Sequence, residues 1–68
     1  MWEELQSVID RGHHVGFEFH LKSEAGYPRG WIARLNHLVV AAGRPTLPNA
    51  VEVLLEYVRT STKSPSVP

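Results

Sequence analysis

Between His14 and Lys22 the hydrophobic pattern of this chain has a period of two: Val15, Phe17, Phe19 and Leu21 alternate with His14, Gly16, Glu18, His20 and Lys22. Only an extended backbone places every second side chain on one face, so the stretch predicts a strand with one apolar and one polar side. On either side of the central region the period lengthens to that of a helix. Trp2, Leu5, Val8 and Ile9 fall at helical spacing among Glu3, Glu4, Gln6 and Ser7, which predicts an amphipathic helix over residues 2 to 11. Gly12 suits a left-handed cap just past its end, and early glutamates with a late Arg11 suit its dipole.

After the first strand, residues 23 to 30 carry Gly26, Pro28 and Gly30 and read as a long hairpin loop. A second strand is expected over Trp31 to Leu35 and a third over Leu38 to Ala42, joined by the two-residue turn Asn36-His37. With that turn, an unbroken register would oppose Leu35 to Leu38, Ala33 to Val40 and Trp31 to Ala42, all on one face. Gly43-Arg44-Pro45 ends the third strand. Thr46 is placed to cap a helix over residues 47 to 59, whose Leu47, Ala50, Val51, Leu54 and Val58 repeat at helical spacing. Val53, Leu55 and Tyr57 widen its stripe, and Pro48 fits the first turn. From Thr60 onward there is no periodicity, and Pro65 and Pro68 predict a disordered tail over residues 60 to 68.

The expected architecture is therefore one α+β domain over residues 1 to 59, a three-stranded antiparallel meander with helices on one face, in the order α-β-β-β-α. A chain of 68 residues without cysteine has a small core and no disulfide to reinforce it, so self-association is expected. Its other sheet face would carry His14, Glu18, His20 and Lys22, then Ile32 and Arg34, then Val39 and Ala41. That mixture is more apolar than a solvated face, and Ile32, Arg34, Val39, Ala41 and His20 are the candidate interface to a second copy. Seven basic and seven acidic residues give a formal net charge of zero, which argues against a chain whose main task is gripping phosphates. The acidic start and the short apolar run Leu38 to Ala42 suggest neither a secretory signal nor a membrane span, and a cytoplasmic protein is expected.

Chemistry-bearing residues are sparse. His13, His14, His20 and His37 could ligate a metal, and His14, Glu18 and His20 share one strand face. Alternate strand residues lie about 6.5 to 7 Å apart, however, and no His-x-x-x-His or cysteine pair is present, so no metal or other cofactor is expected. Ser7, Ser23 and Thr46 lack the base and oxyanion donors a nucleophile needs, and Gly12 to Gly16 lack the spacing of a phosphate loop, so no enzyme is expected. Tyr27, Arg29 and Arg34 beside Trp31 are the alternative, a patch for single-stranded nucleic acid. Trp31 alternates in phase with Ala33 and Leu35 and reads as core.

Gly30-Trp31-Ile32-Ala33-Arg34-Leu35, then Leu38 to Gly43, then Thr46-Leu47-Pro48-Asn49-Ala50-Val51-Glu52 together resemble the HicB-like domain of toxin–antitoxin systems. The resemblance spans residues 15 to 58. Two departures stand out: Asn36-His37 replaces the Pro-Asp-Leu-Pro-Gly type of turn, and Pro48-Asn49-Ala50 replaces a Glu-Glu-Ala helix start. Residues 59 to 68 carry no pattern of a helix-turn-helix or ribbon-helix-helix segment, so what the resemblance implies is an oligomerising module with a protein partner such as a small toxin, without DNA binding of its own. The element order also resembles the double-stranded-RNA-binding domain, without that family's Lys-Lys-x-Ala-Lys helix start.

Overall fold

The computed structural model describes residues 1–23 and 26–63, the side chains of residues 62 and 63 excepted. Its elements are α1 (Trp2–Asp10), β1 (Val15–His20), β2 (Gly30–Leu35), β3 (Leu38–Arg44) and α2 (Leu47–Lys63). The strands form one antiparallel sheet in the order β1-β2-β3, the meander expected from the sequence.

Local chemistry sets most of the element ends. Gly12 takes φ +98° and donates its N–H to the Ile9 carbonyl at 2.9 Å, closing α1 as a left-handed cap does. Asn36 and His37 both have positive φ, +52° and +74°, the conformation of a type I′ turn, whose twist matches that of the strands it joins. Thr46 caps α2: its Oγ1 accepts from Asn49 N–H at 3.2 Å, and its carbonyl accepts from Ala50 N–H. The helix then runs to Lys63, past the expected end at residue 59. Thr60 sustains it by donating its hydroxyl to the Glu56 carbonyl at 2.9 Å, so residues 60 to 63 belong to α2. The rest of the expected tail, residues 64 to 68, lies outside the described residues.

The expected pairing of β2 with β3 holds only next to the turn. Leu35 opposes Leu38 and Arg34 opposes Val39, but Ala33 opposes Ala41 and Trp31 opposes Arg44. Two irregularities in β3 shift the register. The first leaves Val40 without a counterpart, so Val40 and Ala41 both serve the helix side: Val40 packs against the core and Ala41 lies in it. Ala41 therefore does not share the open face with Val39. The second lengthens β3 beyond Ala42 and brings Gly43 against the loop, where Pro28 fills the space a Cβ would need.

The core joins Leu5 and Val8 of α1, Ala33 and Leu35 of β2, Ala41 of β3, and Ala50, Val51, Leu54 and Leu55 of α2. Burying each large aliphatic side chain contributes about 1.5 to 3 kcal/mol. The main helix contacts with the sheet run from α2 to β2 and β3, while α1 packs chiefly on α2. The helix layer is thus displaced toward β3, away from β1.

Candidate interaction surface

Displacement of the helices leaves β1 with a partly bare apolar side. Val15 and Phe17 are half-buried at the margin of the core, and Phe19 is 42% exposed. Phe19 opposes Trp31 across the β1–β2 ladder with ring centroids 5.3 Å apart, a tilted aromatic pair at the end of the sheet. Leu21 follows at 76% exposure, beyond the end of the strand. The sequence period had carried this strand from His14 to Lys22; the observed ladder is shorter at both ends.

Among the described residues no strand pairs with the outer edge of β1. The direction of its free groups follows from His14, whose carbonyl accepts from Asn36 N–H at 2.7 Å and whose N–H donates to Asn36 Oδ1 at 2.9 Å. Both backbone groups of His14 therefore point toward β2. In an antiparallel ladder this alternates residue by residue, so Val15, Phe17 and Phe19 present their N–H and C=O to the open edge. The other edge is built differently. β3 is interrupted by its two irregularities and is followed at once by Pro45, features that blunt an edge against a further strand. β1 has no irregularity in its ladder with β2 and contains neither proline nor lysine.

On the face away from the helices, Glu18 accepts from Arg34 Nη1 in an ion pair, and His20 Nε2 lies 3.7 Å from the same carboxylate. The Arg34 guanidinium holds Glu18 below its ordinary value of 4.5, through the hydrogen bond first and the charge second. His20 Nδ1 is buried without a hydrogen-bond partner. Ile32, which opposes Glu18 on this face, is fully buried within the single chain, and Val39 is half-buried beside Arg34. Of the five residues that sequence reasoning assigned to one interface, the structure groups His20, Ile32, Arg34 and Val39 and separates Ala41. Ile32 has no exposed surface left to offer.

The nucleic-acid alternative is not assembled. Arg29 precedes Gly30 at one end of β2 and Arg34 lies near the other, roughly 16 Å along a strand, and Arg34 is already paired with Glu18. Tyr27 is half-buried in the loop, where its carbonyl accepts from Ser23 Oγ at 3.2 Å.

Three of the four histidines, His13, His14 and His37, collect around the β2–β3 turn, while His20 lies at the far end of β1 opposite Gly30. His14 and His37 stack with centroids 6.3 Å apart, and Asn36 donates its side-chain amide to His13 Nδ1 at 2.9 Å. His14, Val15, Gly16, Arg34 and His37 line a recess of about 190 Å³. A second recess, of about 330 Å³, opens between the helices and is ringed by Glu4, Glu52, Glu56 and Arg59. Among the described residues no three His, Cys, Asp or Glu side chains converge on a common point. No helix among them is long and apolar enough to cross a membrane.

The backbone edge of β1 was missed in the sequence reading. Its signal was present, a six-residue alternation with nothing to blunt it at one edge of the expected meander, but its contrast with β3 becomes visible only with the two irregularities in that strand. No protein-family model, no curated protein and no solved structure matches this chain.

Proposed function

We propose that this chain is a small protein-interaction module that acts by associating with polypeptide, first of all with copies of itself. The observation that carries this reading is the uncovered side of β1, where Phe19 and Leu21 stand exposed next to an unpaired strand edge. Exposed apolar side chains beside free backbone donors and acceptors are what strand addition uses: the backbone supplies affinity and alternate side chains supply fit. Catalysis has less support. Ser7 Oγ lies 3.4 Å from the guanidinium of Arg11, Ser23 hydrogen-bonds a loop carbonyl and Thr46 caps α2, so these three hydroxyls have structural uses, and among the described residues none of the three is hydrogen-bonded to a base. Nucleic acid is the weaker alternative, because Arg34 is neutralised by Glu18.

Residues 15 to 58 resemble the HicB-like domain, and on that resemblance the hetero-partner of such a module would be a small toxin. Sedimentation velocity tests the reading without any partner. The weight-average mass should rise above the 7.7 kDa of one chain between low-micromolar and near-millimolar concentration. A species that stays at one chain throughout that range would remove the self-association on which the reading rests.

A further inference from the structure

Resting on that reading, we infer that the module closes as a two-fold dimer in which the β1 strands of two copies pair antiparallel, with Phe17 at the axis, to give one continuous six-stranded sheet. The occupant of the β1 edge is set by three features of the chain.

Symmetry comes first. A strand edge that paired with the opposite edge of another copy would propagate a filament, whereas an edge that pairs with itself closes. Here β3 is blunted by two irregularities and Pro45, and β1 is not, so β1 finds its match only in another β1. Register comes second. A two-fold axis normal to the sheet keeps helix-side residues opposite helix-side residues, so the strands can centre on Gly16, Phe17 or Glu18. Centring on Glu18 opposes two like carboxylates, which is destabilising. Centring on Gly16 leaves Phe19 beyond the pairing. Centring on Phe17 opposes Val15 to the second copy's Phe19 and Phe17 to its own counterpart. These are the residues whose N–H and C=O face the edge, so the register forms about six interchain hydrogen bonds, two for each facing pair. On the other face it sets Glu18 against Gly16, a residue with open space where a side chain would be. Charge comes third. Two copies with a formal net charge of zero meet without mutual repulsion.

The apolar result is a band of Val15, Phe17 and Phe19 from both copies, on the side that α2 leaves uncovered. It completes the helix-side face of β1 with the second copy's equivalents.

Because the chain contains no cysteine, single-cysteine variants read the register directly. Gly16 and the second copy's Glu18 would form a non-hydrogen-bonded pair with Cα atoms about 4.5 Å apart, within disulfide reach. An equimolar mixture of Gly16→Cys and Glu18→Cys should give chiefly the mixed disulfide dimer under mild oxidation, with at least tenfold less cross-linking for either variant alone. Phe17→Pro removes an edge-facing N–H while leaving the β1–β2 ladder its own bonds, and should sediment as a monomer with an unchanged circular dichroism spectrum. If the unmodified chain is a dimer but the mixture does not cross-link, or Phe17→Pro dimerises as well as the parent, association uses another face and this geometry is overturned. Glu18→Cys cross-linking to itself in preference to the mixture would overturn the register. An unmodified chain that stays monomeric would overturn the dimer together with the functional reading beneath it.

Discussion

Gly30 and Gly43 meet backbone to backbone where the β2–β3 ladder is distorted. A Cβ on Gly30 would lie 2.8 Å from the Arg44 carbonyl oxygen and 2.8 to 2.9 Å from Gly43 backbone atoms, and its φ of +133° is itself unsuited to a side chain. A Cβ on Gly43 would meet only the Pro28 side chain at less than 3.0 Å. Gly30→Ala should therefore cost more than Gly43→Ala, about 3 kcal/mol or above against roughly 1 to 2, as read from urea denaturation. The Asn36 side chain has a different task, bridging the His14 N–H and the His13 ring to the turn. Asn36→Ala should cost about 1 to 2 kcal/mol from the lost bonds and the positive φ, and His37→Gly should recover roughly 0.5 to 1 kcal/mol by relieving the same strain. The turn was legible because a two-residue connection between Leu35 and Leu38 leaves little choice of conformation. The role of Gly30 was not, since its backbone angles arise from a contact with Gly43 that no local pattern encodes.

Period changes reveal elements well and their ends less well. The alternation of Val15, Phe17 and Phe19 and the helical spacing of Ala50, Val51 and Leu54 located β1 and α2, but Val39 to Gly43 is a run of small apolar residues with no alternation to reveal an irregularity. Hence Ala41 was assigned to the wrong face. The end of α2 was set too early because Thr60 to Lys63 lack apolar periodicity, yet they contain neither glycine nor proline to stop a helix. One tie between the helices could not be read from pattern at all: Arg59 holds Glu4 through two hydrogen bonds, of 2.8 and 2.6 Å, across 55 positions of sequence. That contact lowers Glu4 below 4.5, chiefly through the Arg59 hydrogen bond, and Arg34 does the same to Glu18. A carboxylate depressed by folding stabilises the native state above its unfolded pKa, and the contribution is lost as pH falls through the folded value. Thermal stability should thus fall on acidification from pH 5 toward and below the ordinary glutamate range, by a small amount for groups so exposed. Glu4→Gln together with Glu18→Gln should flatten that part of the profile. A double variant whose acid slope matches the parent's would assign the slope to other groups.

For the molecule as a whole, stability rests on the seam between α2 and the β2–β3 pair. Leu54 is fully buried there, and Leu54→Ala should cost about 2 to 5 kcal/mol, a large part of the roughly 5 to 15 typical of a domain, and should lower the melting temperature markedly. Circular dichroism melting checks this directly. A self-associated form would buffer such losses, because a partner that binds only the folded chain raises apparent stability with concentration. The melting temperature of the parent should therefore climb with protein concentration, and a value independent of it would count against dimerisation. The displacement of the helix layer also bears on the order of events in folding. Residues 30 to 63 hold β2, β3 and α2 in unbroken succession and contain most of the core, so they can collapse after closing only a two-residue turn and one short connection. β1 must be brought to β2 across the longer separation between His20 and Gly30 before it pairs, and α1 reaches its seat only when α2 is in place to receive it. The amino-terminal third would then dock last and open first, with amide exchange fastest in α1, slower in β1 and slowest in the seam beneath α2. The strand offered to a partner is drawn from the part of the molecule that comes loose most readily.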